Sequence, residues 1–66
     1  MEITINGQTQ IVPEGLTAAQ LIEQMGLAGR RIAMEVNLDI VPRSAYAVHA
    51  LSPGDRVEIV HAVGGG

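Results

Sequence analysis

A single stretch with helical periodicity, bounded on both sides by strand-like segments, constrains the fold of this chain more than any other feature. Its apolar residues recur at the spacing of one helix face, and they are Ala18, Leu21, Ile22 and Met25. One amphipathic helix cannot bury its own apolar face, so it must pack against another element. The strand-like segments around it predict that this element is one sheet, covered by the helix on one face.

The ends of the helix are also encoded locally. Thr17, followed three residues later by Gln20, fits a capping box, in which each side chain bonds the backbone N–H of the other residue. Gly26 suits the left-handed turn that ends many helices, and Leu27 would then pack back onto Ile22. We therefore expect a helix that starts after Thr17 and stops before Gly26.

A β-hairpin is predicted before the helix. Residues 2–6 alternate polar and apolar side chains, and the apolar Ile11 follows an Asn6-Gly7 turn signal. A two-residue turn would place Ile3 opposite Gln10, whereas a three-residue connection would pair Ile3 with Ile11. We expect the longer connection, because it brings the isoleucines together.

Further strand-like segments follow the helix. Alternation predicts a strand over Ile32–Asn37, then a short extended piece at Ile40-Val41 and an irregular or 3₁₀ turn around Tyr46. Pro53-Gly54 fit the central positions of a type II turn that starts a final strand at Arg56. Because this last run is the most apolar, we expect it in the centre of the sheet beside the first strand. The fold class is α+β, with a mixed sheet of four to five strands packed against one main helix.

The final strand runs into Gly64, Gly65 and Gly66, where the sequence stops. Glycine costs conformational entropy to order and adds no side chain to a core. Three extended residues reach about 10 Å, enough to carry a terminal carboxylate on Gly66 into a narrow channel. We expect one domain over residues 1–66 with a flexible tail at 64–66, although ordinary fraying of a terminus would also favour glycine.

Composition narrows the classes of function. The 66 residues carry a net charge of -3 with four Lys and Arg together, too few for the basic stripe that a nucleic-acid partner requires. The absence of cysteine excludes a disulfide framework and a thiolate zinc site. With no signal-like start and no apolar run long enough to cross a bilayer, we expect a cytoplasmic protein without a membrane partner.

The titratable residues give no sign of a metal or catalytic site. His49 and His61 are distant in sequence and have no carboxylate at ligand spacing, which favours surface positions for both. Scattered carboxylates are interpreted as solvated surface, and they are Glu23, Glu35, Asp39, Asp55 and Glu58. We expect neither a bound metal nor a catalytic residue.

Strand alternation predicts one candidate docking patch. It turns Val57 and Ile59 inward and Glu58, Val60 and Ala62 outward. Val60 and Ala62 then place two apolar side chains on the solvent face just before the glycines, where a partner could dock. Single exposed apolar residues are ordinary on protein surfaces, which is the alternative interpretation.

Three segments together resemble the ThiS family of thiamine-biosynthesis sulfur carriers. They are Asn37–Ser44 (NLDIVPRS), Gly54–Val60 (GDRVEIV) and the terminal Gly65-Gly66. The resemblance covers the whole chain and implies a β-grasp (ubiquitin-like) fold and a protein substrate instead of an enzyme. The third glycine, Gly64, departs from the pattern, so its role beyond tail length is open.

The resemblance also implies a chemistry and a set of partners. An E1-like, ThiF-like adenylyltransferase would activate the carboxylate of Gly66 with ATP and Mg²⁺ while Gly64 and Gly65 occupy its channel. A sulfur donor such as a cysteine desulfurase would then supply the sulfur of a thiocarboxylate, and a ThiG-like thiazole synthase would receive it. The carrier itself would hold no cofactor and would be a monomer when free. Two alternatives stay open: a molybdopterin-type sulfur carrier with the same fold and tail, and a β-grasp binding module without covalent chemistry.

Overall fold

The computed structural model of the chain describes residues 1–61 and contains one sheet with one helix packed on it. The predictions for Ala62 and for the tail at residues 64–66 lie outside the described residues. The elements in chain order are β1 (Glu2–Ile5), β2 (Gln8–Ile11), α1 (Ala18–Gln24), β3 (Ile32–Val36), β4 (Asp39–Val41), a 3₁₀ turn (Arg43–Ala45) and β5 (Arg56–His61).

The five strands form one mixed sheet with the order β2-β1-β5-β3-β4. β5 lies in the centre, parallel to β1 and antiparallel to β3. The two other neighbouring pairs are antiparallel hairpins. The prediction that the last strand lies centrally beside the first is therefore confirmed.

The core lies between the inner face of the sheet and α1. Its most deeply buried large side chains come from three strands and the helix, and they are Ile3, Leu21, Met34 and Val57. Val57 is 0% exposed and Ile59 is 6% exposed, whereas Val60 is 58% exposed. The predicted alternation of β5 is confirmed. Each fully buried aliphatic side chain stabilises the fold by about 1.5 to 3 kcal/mol, because its apolar surface is removed from water.

Both ends of α1 are capped as predicted. Thr17 Oγ1 accepts from the Gln20 N–H at 3.2 Å, and Gln20 Oε1 accepts from the Thr17 N–H at 2.9 Å, which completes the capping box. At the other end Gly26 has a φ of 72°, and the Leu27 N–H donates to the Ile22 carbonyl at 3.0 Å. This bond across the left-handed glycine defines a Schellman motif.

Met25 departs from the prediction for the helix face. It is the C-cap of α1 and is 38% exposed, whereas Ala18, Leu21 and Ile22 are buried. The helix ends at this residue and does not hold its side chain over the sheet. The apolar periodicity of the sequence therefore extends one position beyond the buried face of α1.

The register of the first hairpin also differs from the prediction. Ile3 lies opposite Gln10, not Ile11, so the connection is the two-residue turn Asn6-Gly7. Both turn residues have positive φ, 50° and 83°, as the type I′ turn requires. In this register Ile11 lies opposite Glu2 and is 75% exposed, so the two isoleucines are not brought together. The turn chemistry set the register.

The segment between β4 and β5 supports the start of α1. The 3₁₀ turn lies just before Tyr46, as predicted, and the Tyr46 carbonyl accepts from the Ala19 N–H at 2.9 Å. The His49 carbonyl accepts from the Ala18 N–H at 2.9 Å. These bonds satisfy two of the N–H groups that the first turn of a helix leaves without an internal partner.

Candidate functional site: the exit of the central strand

The candidate site is the exit of β5, by which we mean Asn6 together with residues 59–61. β1 pairs with β5 only as far as Ile5 opposite Val57, and then turns away at Asn6. β5 continues to His61 with β3 as its backbone partner, since Val60 lies opposite Ala33 and His61 opposite Ile32. The central strand is therefore longer than its parallel neighbour at the end nearest the glycines.

The side chain of Asn6 bridges the gap left by β1. Its backbone N–H donates to the Val57 carbonyl at 2.9 Å, which is the last main-chain bond between the two strands. Its Oδ1 then accepts from the Ile59 N–H at 2.8 Å, and its Nδ2 donates to the Ile59 carbonyl at 3.2 Å. One carboxamide thus satisfies both backbone groups of Ile59 that an extended β1 would otherwise bond.

The opposite end of the strand is held differently. We define the entry of β5 as Asn37 with residues 52–56. Asp55 Oδ1 accepts from Asn37 Nδ2 at 3.0 Å, and its Oδ2 accepts from the Ser52 N–H at 2.8 Å. The Arg56 N–H donates to Asn37 Oδ1 at 2.9 Å, which continues the chain of bonds into the first residue of β5.

Asp55 corrects the interpretation of the carboxylates as solvated surface. It is 9% exposed and accepts two hydrogen bonds, so it is part of the fold. The predicted turn before it is confirmed, because Gly54 has a φ of 82° and the Asp55 N–H donates to the Ser52 carbonyl at 3.1 Å. A buried carboxylate requires such partners to offset its loss of water.

Val60, the described residue of the candidate docking patch, lies on the outer face of the sheet. Val60 is exposed there beside Ala33, which is also exposed. Glu58 lies opposite Glu35 in the next cross-strand pair, and Ile40, 75% exposed, lies on the far side of Glu35. This face combines apolar side chains with two adjacent carboxylates whose repulsion is unfavourable in the free protein. Its role in docking stays a prediction.

The histidines lie in different parts of the fold. His49 is half-buried in the segment before β5, and His61 is exposed at the exit of the strand. Within residues 1–61, no three His, Asp or Glu side chains are grouped closely enough to hold a metal ion. The same residues contain no helix of the length and apolarity that a membrane span requires.

The end of β5 lies close in sequence to the three glycines. β5 is bonded on both sides as far as Ile59, and the chain then leads in sequence to Gly64, Gly65 and Gly66. These glycines lie outside the described residues, and the role of the Gly66 carboxylate stays a prediction.

The sheet order, with a parallel central pair and one covering helix, defines the β-grasp (ubiquitin-like) fold. The crystal structure of the thiamine biosynthesis protein ThiS from Geobacter metallireducens superposes with a TM-score of 0.87 and 29% sequence identity, and the match covers 100% of both chains. The class of protein is thus a ubiquitin-like domain, as the resemblance implied.

The chain belongs to the ThiS family, whose model matches residues 1–66. It is 32% identical to the sulfur carrier protein ThiS of Escherichia coli over 66 residues, and the match covers 100% of both proteins. It is also 41% identical over 66 residues to a thiazole synthase of Paramagnetospirillum magneticum, but it spans only 20% of the length of that protein.

Sequence reasoning found some of the residues at this site and missed others. Alternation placed Val60 on the outer face, and the glycines at the end of the sequence carried the family resemblance. The role of Asn6 was missed, although the Asn-Gly pair was seen as a turn signal. No local pattern around Asn6 indicates that its side chain reaches Ile59, which is 53 residues away.

Proposed function

We propose that this protein is a sulfur carrier for formation of the thiazole moiety of thiamine, and that the carboxylate of Gly66 carries the sulfur. The observation that carries this proposal is the match over both full lengths to the sulfur carrier protein ThiS of Escherichia coli. The terminal Gly65-Gly66 supports it, because the reacting group must be presented on a main chain free of side chains. The protein acts as a substrate of other enzymes.

The first chemical step activates a poor electrophile. An oxygen of the Gly66 carboxylate attacks the α-phosphorus of ATP in an E1-like, ThiF-like adenylyltransferase, and pyrophosphate leaves with Mg²⁺ neutralising its charge. The product is an acyl adenylate, whose AMP is a good leaving group. The enzyme supplies the alignment that makes this attack effectively unimolecular, with Gly64 and Gly65 lying in its channel.

The second step replaces oxygen by sulfur. A persulfide donor such as a cysteine desulfurase attacks the acyl carbon, so that a C–S bond forms and AMP leaves. A thiol then reduces the S–S bond and releases the thiocarboxylate at Gly66. Because the chain has no cysteine, its C-terminal carbonyl is the natural place for the sulfur.

A thiazole synthase is the proposed acceptor of the sulfur. The thiazole synthase of Paramagnetospirillum magneticum includes a stretch similar to this whole chain, which supports the two activities acting together. The patch at Val60 and Ala62 lies next to the glycines in sequence and is the proposed docking surface for these enzymes. We place the protein in the cytoplasm, as a monomer when free.

The test is a mass measurement of the C-terminal fragment. After incubation with ATP, Mg²⁺, an adenylyltransferase and a persulfide donor with thiol, the fragment should gain the mass difference between sulfur and oxygen. A protein lacking Gly65 and Gly66 should show no gain, yet its melting temperature should stay nearly unchanged because terminal residues contribute little to a core.

Each other outcome has a distinct meaning. An unmodified C-terminus in the full chain would favour the β-grasp binding module without covalent chemistry. Transfer of sulfur to a molybdopterin synthase instead of a thiazole synthase would favour the molybdopterin-type carrier. A large loss of stability on deletion of Gly65 and Gly66 would contradict their assignment as a tail.

A further inference from the structure

Two asparagines occupy matching places at the two ends of β5. Asn6 and Asn37 are each the first residue of a two-residue turn, with φ values of 50° and 52°. The side chain of each bonds the backbone of β5: Asn6 at Ile59, near the exit, and Asn37 at Arg56, at the entry. The same residue type in the same turn position thus holds opposite ends of one strand.

The side-chain bonds of Asn6 also hold the backbone of β5 at Ile59. Beyond Ile59 the strand has β3 as its neighbour, with Val60 opposite Ala33. The backbone at Ile59, from which the chain continues, is therefore held on one side by β3 and on the other by the Asn6 carboxamide. A strand held along one edge alone bends and frays more readily than a strand held along both.

We propose that Asn6 is a positioning residue for the carrier chemistry, because its carboxamide fixes the direction in which the chain leaves β5 toward Gly66. This inference rests on the proposed function. A fixed direction raises the fraction of carrier molecules that meet the activating enzyme with the carboxylate aimed at its channel. The side chain itself does not touch the reacting atoms.

The effect should fall on KM for the carrier and not on kcat. Once the C-terminus lies in the enzyme, the alignment for attack on ATP is set by the enzyme, so the chemical step no longer depends on Asn6. Before binding, a chain that leaves β5 in many directions must be ordered at the cost of affinity.

The experiment compares Asn6→Gly with the matched control Asn37→Gly. Glycine adopts positive φ freely and Gly-Gly is a favoured type I′ pair, so the hairpin at Asn6 keeps its turn and loses the side-chain bonds alone. Adenylation of each full-length carrier is measured over a range of carrier concentrations, together with melting temperature and backbone amide exchange at Ile59 and Val60.

For Asn6→Gly we expect KM to rise about threefold to tenfold with kcat within about twofold, the range that corresponds to losing one or two ordinary hydrogen bonds. Amide exchange at Ile59 and Val60 should accelerate. For Asn37→Gly, which loses a bond to the buried Asp55, we expect a fall in melting temperature at least as large as for Asn6→Gly but a KM within about twofold of wild type. A rise in KM for Asn6→Gly alone would distinguish a positioning role from a general loss of stability.

A second variant keeps the inference testable if Asn6→Gly folds poorly. Asn6→Asp retains a turn-forming residue and the acceptor for the Ile59 N–H, but it loses the donor to the Ile59 carbonyl. Its KM should lie between those of wild type and Asn6→Gly. A KM as low as wild type, with Ile59 exchanging faster, would overturn the inference.

Equal increases in KM for Asn6→Gly and Asn37→Gly would also overturn it, because the cause would then be lost stability. A wild-type carrier that is never adenylated would overturn the proposed function and with it the role of Asn6. That result is distinct from a failure confined to Asn6, since the unaltered protein would already be inert.

Discussion

The entry and the exit of β5 are held by different numbers of groups. At the entry the buried carboxylate of Asp55 accepts hydrogen bonds from the Ser52 N–H and the Asn37 side chain. The Asn37 side chain in turn accepts a hydrogen bond from the Arg56 N–H. At the exit a single carboxamide, from Asn6, serves one residue, Ile59. Three hydrogen bonds of two side chains hold the entry, whereas two hydrogen bonds of one side chain hold the exit, where the buried Ile59 is the main support from the core.

The largest expected effect comes from the core at the exit. Ile59→Ala should lower the free energy of unfolding by about 2 to 5 kcal/mol, because it leaves a cavity in the central strand. Urea denaturation monitored by circular dichroism measures this change. A loss below about 1 kcal/mol would mean that Ile59 packs loosely, and that the inner face is not what holds this end of the strand.

The entry network should give the next largest effect. Asp55→Ala should cost about 1.5 to 3 kcal/mol, since the Ser52 N–H and Asn37 Nδ2 both lose a charged acceptor. Asp55→Asn is the matched control: it has one acceptor oxygen in place of two, so the loss should be smaller. Thermal unfolding of the three proteins compares them, and equal stability of wild type and Asp55→Ala would refute the contrast between the two ends.

Replacing Leu38, which follows Asn37 in the turn, should have a small effect of opposite sign on the free energy of unfolding. Leu38 has a φ of 73° and is 71% exposed, a conformation that costs a residue with a side chain about 1 to 2 kcal/mol. Leu38→Gly should therefore raise the free energy of unfolding, by up to about 1 kcal/mol after the added entropy of the unfolded chain is subtracted. A lower melting temperature would show that Leu38 makes a compensating contact.

The smallest effect on stability is expected at the outer face of the exit. Val60→Thr keeps a β-branched side chain on an exposed position, so the free energy of unfolding should change by less than about 0.5 kcal/mol. Its Kd for the activating enzyme should nevertheless rise if the patch docks there. Val48→Thr, at a valine that is 80% exposed outside β5, is the control, and an equal rise in both would remove the patch from the proposal.

The parts of the fold that could be predicted are those encoded over a few residues. Thr17 with Gln20, and Gly26 with Leu27, act within one helical turn, and both caps formed as expected. Alternation predicted which side chains of β5 point inward. The helix face was extended too far only at Met25, where the periodic pattern continues but the helix stops.

The predictions that failed concern features set by competing local signals or by partners far apart in the sequence. At the first hairpin two local signals disagree, and the Asn6-Gly7 turn, with positive φ at both residues, prevails over the pairing of Ile3 with Ile11. The burial of Asp55 depends in part on Asn37, 18 residues earlier, and nothing beside Asp55 in the sequence reveals that partner. At the candidate site, the glycines could be found from the sequence, whereas the long-range bonds from Asn6 to Ile59 could not.

The place of β5 in the sheet also has a consequence for how the protein is made. It is the last of the five strands to leave the ribosome, yet it separates two hairpins that have no other strand between them. In a nascent chain stopped before Arg56 the two hairpins and α1 lack the strand that joins the hairpins into one sheet, and an isolated hairpin is marginal in water. The complete sheet therefore forms only after residues 56–61, a few positions before the glycines, have been synthesised.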